Sequence, residues 1–472
     1  MWNFNGYEAN TFLIDEQGEK YSYSDLIAKA KEIYERIRSR CLVFSLCTNT
    51  VGSVVGYVSF LQNRVVPVLL NANLDASLLN NLIQIYLPSY LWIPSSAKEN
   101  FQDYRVCFEA LNYCLLETNF EKPYPLHEDL ALLLTTSGST GSPKFVRQSY
   151  DNIKANADSI IQYLRLDSTE RPITTLPMNY TYGLSIINTH LAVGATLLVT
   201  EKGMMQKEFW EFFKEQKATS FGGVPYTYEM LDRLHFTKMD LPYLRTMTQA
   251  GGKITPQIHQ KFAEYADKTG KKFVVMYGQC EATARMGYLP ADRAVEKCGS
   301  MGIAIPGGRF RLIDVNGDEI KDAHVTGELV YEGRNVTMGY AECGDDLMKG
   351  DERHGTLATG DMAEFDEDGY YFIVGRKKRF LKIYGNRVNL DEIDRMIKGH
   401  FSELDVASSG VDDHMFIFMN DEEKMQDVKD FVSHTTGLNP VAFKTKYLAE
   451  IPKNDSGKVV YKDLEQYYKE EL

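Results

Sequence analysis

Between positions 135 and 144 the chain reads TTSGSTGSPK, small and hydroxylated residues closed by a single lysine. Backbone N–H groups in such a stretch can cradle an anion, and Lys144 adds a mobile positive charge. The same composition would suit a flexible linker, so the flanks decide. LALLLT, 130 to 135, is a short continuous apolar run of the kind shown by a strand buried on both faces. FVRQSYDNIKANADSIIQYL follows, with Ile153, Ala157, Ile160, Ile161 and Leu164 on one helical face and Ser149 or Asp151 as the cap. The stretch is therefore expected to turn a buried strand back toward a helix and to bind phosphate. It lacks the G-x-x-x-x-G-K-[ST] spacing of a P-loop.

Other candidate groups are scattered. Glu281 sits in YGQCEAT (277–283), Asp361 in LATGD (357–361), five basic residues in GRKKRFLK (375–382), and Lys458 in NDSGKVV (454–460). Taken singly, each has an ordinary reading. Glu281 reads as a solvated surface carboxylate, Tyr277 as a half-buried core ring, Asp361 as an Asx-turn residue after Gly360, and Lys458 as surface charge.

The elements that must position these groups follow from periodicity. Up to about residue 130, helical patterns such as SDLIAKAKEIYERI alternate with apolar runs such as VVPVLL and SYLWIP, which predicts layered α/β with a largely parallel sheet. ITTLPM, ATLLVT, ATSFGGVP and KFVVMYG continue the pattern as strand ends. From about 300, Asn-Gly in GRFRLIDVNGDEI and Asp-Gly in EFDEDGYYFIVGR signal antiparallel hairpins. Beyond GRKKRFLK the order is helix, strand, helix, strand, helix, a small separate α+β domain behind a charged hinge.

With 472 residues, 44% hydrophobic and 25% charged, the composition is that of an ordinary soluble globular protein of about three domain-sized units. The net charge of -13 argues against nucleic acid or an anionic membrane as partner, so a phosphate site must be made locally. The start does not read as a signal peptide, no run is long enough for a membrane span, and seven cysteines at irregular spacing fit reduced thiols in a cytoplasm.

Several of these motifs, TTSGSTGSPK, YGQCEAT, GELVYEGRNVTMGY (327–340), LATGD, GRKKRFLKIYGNRV (375–388) and PKNDSGKVVYKDL (452–464), occur in the order in which they occur in the AMP-forming adenylating enzymes. The chain resembles this superfamily, which contains acyl-CoA synthetases, peptide-synthetase adenylation domains and luciferases. The resemblance implies an α/β fold: a large N-terminal domain (1–377) of layered α/β subdomains plus a small β-barrel-like subdomain, then a small mobile α+β C-terminal domain (378–472). It implies ATP-dependent activation of a carboxylic acid to an acyl-adenylate with pyrophosphate release, then transfer to a thiol, with ATP, Mg²⁺ and coenzyme A or a carrier-protein phosphopantetheine.

Residue by residue, the resemblance assigns Thr135, Thr136, Ser137, Gly138, Ser139, Thr140, Gly141 and Lys144 to the β- and γ-phosphates. Gly251, Gly252, Tyr277, Gly278, Gln279 and Cys280 join the nucleotide set, with Tyr277 on the adenine and Cys280 in place of a phosphate-contacting Thr. Glu281 would take Mg²⁺, Asp361 the ribose hydroxyls, Arg376 the ribose or α-phosphate, and Lys458 the α-phosphate and carboxylate together, with Lys378 as the hinge. Tyr180, Tyr182, Gly183, Val224 and Tyr226 would line the acid pocket. Gly183 stands where amino-acid-activating members often carry the Asp that pairs an α-ammonium, which favours an acid without an α-amino group. Coenzyme A is the favoured acceptor and an acyl carrier protein the alternative. Two other classes remain: a kinase, against which the absent H-R-D and D-F-G sets count, and a nucleotide-binding regulator on a degenerate adenylating fold.

Overall fold

Six consecutive buried residues, LVFSLC, form strand β1 (Leu42–Cys47), and their neighbours on both sides of the sheet explain the unbroken apolar run. Helix α1 (Val51–Gln62) leads to β2 (Val66–Asn71), and α2 (Ala76–Tyr86) to β3 (Tyr90–Pro94). Strands β4 (Arg105–Ala110), β5 (Tyr113–Glu117), β6 (Leu130–Thr135) and β7 (Phe145–Ser149) follow. The eight-stranded sheet runs Gly339–Ala341, β7, β6, β2, β1, β3, β5, β4. Only β6, β2, β1 and β3 are parallel. Both flanks are antiparallel, because β4 with β5 and β6 with β7 are joined by short connections that cannot make a parallel crossover. The expected largely parallel sheet is thus its centre alone.

Helix α3 (Tyr150–Leu164) carries the predicted apolar face, and Ser149 is its cap, in a reciprocal capping box with Asn152. The connection into it differs from expectation. Leu130 pairs with Ser149 and Thr135 with Phe145, so the strands that flank the Gly/Ser stretch pair antiparallel before the helix begins. FVRQS does not look like a buried strand because it holds Arg147 and Gln148, yet all five residues are buried. The Arg147 guanidinium is satisfied by the carbonyls of Tyr340 at 2.9 Å, Met338 at 3.1 Å and Gly350 at 3.2 Å and by Glu352.

After α4 (Thr181–Ala192), three parallel strands, β8 (Ser220–Gly223), β9 (Thr246–Gln249) and β10 (Lys272–Tyr277), form a second sheet. Helix α5 (Pro225–Arg233) leaves β8, α6 (Pro256–Thr269) follows β9, and short antiparallel strands β11 (Gly287–Tyr288) and β12 (Ile303–Ala304) complete the sheet. The carboxyl ends of β8, β9 and β10 share one edge, where open α/β sheets bind ligands.

A third sheet, β13 (Gly308–Ile313), β14 (Glu319–Ile320), β15 (Gly327–Gly333), then, past β16 (Gly339–Ala341), β17 (Thr356–Phe365) and β18 (Tyr371–Arg376), has the order β14-β13-β15-β17-β18. Asn316-Gly317 and Asp368-Gly369 make its two predicted hairpin turns. It is an open sheet, and the expected barrel-like closure does not form, since β14 and β18 end the order without pairing to each other.

The C-terminal elements are the hairpin β19 (Phe380–Ile383) and β20 (Asn386–Asn389), α7 (Leu390–His400), the sheet β21 (Val406–Val411), β22 (His414–Met419) and β23 (Phe443–Tyr447), and α8 (Met425–Thr436) between the last two strands. Leu381, Ile383, Val388, Ile393 and Ile397 share one apolar cluster with Ile417. This computed structural model describes residues 1–135, 144–383, 386–453 and 459–469. They divide into two compact units, Met1–Phe310 with Tyr331–Leu357, and Arg311–Val330 with Ala358–Leu472. Among the described residues, no helix is long and apolar enough to cross a membrane.

Candidate active site

The loop that leaves β10 is held at nearly every backbone group. Gly278 is required at its start, since a Cβ there would stand 1.7 Å from the Ala284 carbonyl oxygen. The Glu281 carbonyl accepts from Thr337 N at 3.0 Å, Thr337 Oγ1 at 2.9 Å and Arg353 Nη1 at 2.8 Å. Asn335 Nδ2 donates to the carbonyls of Ala282 at 2.9 Å and Arg285 at 3.1 Å. Between them Thr283 has φ 66° and ψ -58°, and Ala284 N donates to Ala282 O at 2.7 Å. That is a γ-turn with positive φ at a β-branched residue, a conformation costing on the order of 1–3 kcal/mol. The bonds from Thr283 Oγ1 to Asn335 O, and from Thr181 Oγ1 to Thr283 O, over-determine it.

This rigid loop presents Glu281. Its Oε1 accepts from the Tyr340 hydroxyl at 2.8 Å. The same Tyr340 ring carries Lys144 Nζ 3.5 Å from its centroid and the Arg353 guanidinium at 4.6 Å. Lys144 also lies 3.5 Å from Glu342, and Cys280 Sγ donates to the Thr135 carbonyl at 3.7 Å. Burial, and secondarily the Glu281 charge, pushes the Tyr340 hydroxyl up to about 12, so it remains a donor at any ordinary pH. The structure therefore brings together Thr135, Lys144, Cys280 and Glu281 from distant parts of the sequence. Thr136, Ser137, Gly138, Ser139, Thr140 and Gly141 lie outside the described residues.

On the same sheet edge, Tyr180 precedes α4 and packs on Gly251, where a Cβ would come 2.6 Å from the Tyr180 hydroxyl and 3.1 Å from Val224 Cγ1. Gly251 has φ +86°, so it serves both the turn and the close approach. Gly252 faces the Pro225 ring, 3.1 Å from its would-be Cβ. Burial pushes the Tyr180 hydroxyl up to about 12. Tyr182 is buried, its ring 6.4 Å from that of Tyr180 and its hydroxyl 2.7 Å from Thr248 Oγ1. Gly183 meets the Pro177 carbonyl, 2.4 Å from a would-be Cβ, so backbone packing excludes any side chain there. Tyr226, by contrast, is 58% exposed. Gln279 Nε2 donates to the Tyr277 hydroxyl at 3.4 Å, and the Tyr277 ring stands edge-on to Phe310 at 6.2 Å.

In the second unit, Asp361 and Arg376 are opposite residues of β17 and β18. Arg376 Nε lies 2.6 Å from Asp361 Oδ1, the carboxylate buried and the arginine more than half exposed. Lys377 pairs with Glu328 at 2.6 Å, and Lys378 falls in a single 3-10 turn between β18 and β19. Lys458 lies outside the described residues.

The sequence model of the AMP-binding enzymes matches residues 2–341. The chain belongs to the AMP-binding enzyme family. Among curated members it is similar to peroxisomal OPC-8:0-CoA ligase 1 of Arabidopsis thaliana, 28% identical over 355 residues, covering 71% of this chain and 64% of the relative. It is also similar to 4-coumarate–CoA ligase-like 8 of the same plant (25% over 354 residues, 71% and 62%) and to sulfoacetate–CoA ligase of Cupriavidus necator (27% over 347 residues, 71% and 67%). The chain thus spans less than two-thirds of the length of these plant relatives. Its fold matches o-succinylbenzoate CoA synthetase from Bacillus subtilis in complex with the acyl-adenylate intermediate, with TM-score 0.79 at 19% identity, 98% of this chain and 96% of that one. ATP-bound MatB from Rhodopseudomonas palustris gives 0.78 at 22% identity over the same shares.

Within this AMP-binding enzyme, sequence reasoning passed over Tyr340, Arg353, Asn335 and Arg285. Tyr340 stands inside a motif already singled out, GELVYEGRNVTMGY, and its position as an aromatic donor after Gly339 was the available signal. The others carry none, because the partners that tie them to the loop are 50 to 122 residues away.

Proposed function

We propose that this protein uses ATP to activate a carboxylic acid as the acyl-adenylate, releases pyrophosphate, and passes the acyl group to the thiol of coenzyme A. The observation that carries this reading is the convergence of Lys144, Arg353 and Glu281 on Tyr340 beside the end of β6. Attack of a carboxylate on the α-phosphorus brings anion against anion, so positive charge and oriented donors must be in place beforehand. Lys144 supplies mobile charge just ahead of β7, and Arg353 pins the Glu281 backbone while its own charge stays on the Tyr340 face.

Glu281 fits a Mg²⁺ ligand by donor chemistry: a carboxylate with one hydrogen bond taken keeps lone pairs for a hard cation. Among the described residues no three His, Cys, Asp or Glu side chains group as a metal cage, so the ion would complete its shell with phosphate oxygens and water. Bound there, Mg²⁺ would neutralise charge on the phosphates. Tyr340 holds the Glu281 carboxylate in one orientation. In the second unit, Arg376 pairs with Asp361 at 2.6 Å and aims the carboxylate, which would accept from two ribose hydroxyls. In the family scheme the 378–472 domain brings Lys458 to the reacting carboxylate and then turns about Lys378 to admit the thiol. The CoA-ligase names of the curated relatives favour coenzyme A over a carrier protein.

The test is pyrophosphate release with ATP and Mg²⁺ across short, aryl and long-chain acids, with and without coenzyme A. Release with one acid class that rises with coenzyme A is expected. ATP binding with no release for any acid would refute acid activation.

A further inference from the structure

Arg285 is a buried cation with nothing anionic beside it among the described residues. The residue is 3% exposed, its guanidinium lies 5.1 Å from the centroid of the Tyr182 ring, and its Nη1 donates to the Tyr163 hydroxyl at 3.2 Å. Its Nε is buried and has no protein partner. Among the described residues no carboxylate stands within ion-pair distance of it. Other arginines withdrawn from solvent here are compensated: buried Arg147 has Glu352 and four carbonyls, and half-buried Arg379 has Asp391 and Asp394. An aromatic face and a hydroxyl recover only part of what a guanidinium loses on leaving water. A chain that needed only packing at this position would be better served by an apolar side chain of similar volume.

The location gives the charge a use. Arg285 follows the Thr283 γ-turn, four residues after Glu281, so a locally strained and heavily tied backbone fixes where its side chain starts. Around it stand Tyr182 from α4, Tyr163 from α3 stacked on Tyr288 at 4.1 Å, and Met276 at the end of β10, whose sulfur accepts from the Tyr163 hydroxyl at 3.2 Å. Tyr182 adjoins Tyr180, which packs on Gly251 and Val224. Aromatic rings thus lead from the carboxyl ends of β8 and β9 to an uncompensated guanidinium.

We propose that Arg285 recognises a second anionic group on the acid, so that the substrate is a short carboxylic acid carrying a further carboxylate or sulfonate, not a monocarboxylic fatty acid. This rests on the acid-activating reading above. The distal anion takes the Nε and Nη donors in a forked pair, while the other carboxylate is left to react. A monoacid of the same length leaves the guanidinium buried and unpaired, which disfavours it.

The experiment compares malonate, succinate, glutarate and sulfoacetate with monocarboxylates of matched length, in the full chain and in Arg285→Gln and Arg285→Lys. Pyrophosphate release and isothermal calorimetry of acid binding are both read, with thermal unfolding as control. Expected is kcat/KM at least about 10²-fold higher for one dianionic acid than for its monoacid, falling about 10²- to 10⁴-fold in Arg285→Gln, the range for removing one partner of a buried ion pair. Arg285→Lys should recover part of that loss, mainly in KM, and in Arg285→Gln the preference for the dianionic acid over its monoacid should collapse. Monoacids used as well as diacids, with Arg285→Gln changing stability alone, would overturn the proposal and leave acid activation standing. If no acid releases pyrophosphate, dicarboxylate binding that Arg285→Gln abolishes would still support the anion site while acid activation fails. No binding of any dianionic acid overturns both.

Discussion

Tyr340→Phe isolates one atom of the candidate site. The substitution keeps the ring, and with it the faces on which Lys144 and Arg353 rest, and deletes the hydroxyl that donates to Glu281 at 2.8 Å. A hydrogen bond to a charged group contributes about 1.5–3 kcal/mol, and each 1.36 kcal/mol is tenfold in rate. If the bond acts by orienting Glu281 in the transition state, acid-dependent ATP–pyrophosphate exchange should fall about 10- to 150-fold in kcat/KM. Because the site is partly open to solvent, the lower half of that range is expected. Tyr340→Leu removes the ring as well, and cation–π pairs of about 0.5–2 kcal/mol add a further loss of about 2- to 30-fold. Since the Tyr340 hydroxyl is pushed up to about 12, the ratio of wild type to Tyr340→Phe should not vary between pH 6 and 9. Exchange at the wild-type rate with an unchanged Mg²⁺ dependence in Tyr340→Phe would refute the role given to this bond.

Other perturbations separate stability from chemistry. His190 is buried, its Nδ1 bonded to Ile186 O at 2.7 Å, and burial holds its pKa down at about 4. The unfolded chain, with an ordinary value near 6.5, binds the proton first, so this contribution is complete above pH 6.5 and is lost as pH falls toward 4, about 3 kcal/mol in all. Urea midpoints of wild type and His190→Gln should converge as the pH is lowered through that window; a pH-independent difference would contradict it. Gly183→Ala should cost about 1–3 kcal/mol in urea unfolding, because its Cβ meets the Pro177 carbonyl at 2.4 Å, and full wild-type stability would show that the contact yields freely. Asp361→Asn should raise the KM for ATP about 10- to 100-fold, the loss of a charge-assisted contact, and an unchanged KM would remove Asp361 from the ribose. Lys458→Ala should lose adenylation about 10²- to 10³-fold while keeping thiol transfer from supplied acyl-adenylate; equal loss in both steps would sink its assignment.

Local pattern carried far into this structure. Ser149 caps α3, Asn316-Gly317 and Asp368-Gly369 make hairpins, and the apolar runs at 66–70, 90–93 and 130–134 are buried in strands, since each depends on residues adjacent in sequence. FVRQS escaped because its burial depends on carbonyls near residues 338–350 that accept from Arg147, information that no local window contains. The motifs of the candidate site were legible as types and order, yet the partner of Glu281 was not, because Tyr340 is 59 residues away and its hydroxyl reaches Glu281 only when β16 pairs with β7.

By itself, then, the sequence determined the family, the α/β layering and the order of the motifs. Folding alone decided which of them share a charge environment. It drew Lys144 and Arg353 onto one ring, paired Asp361 with Arg376, closed Gly183 against a carbonyl, and set Arg285 against the Tyr182 ring, with no counter-ion among the described residues. The physical reason is range. Propensity and periodicity act over a few neighbours, whereas desolvation and charge pairing are set by whatever the topology brings within a few ångströms.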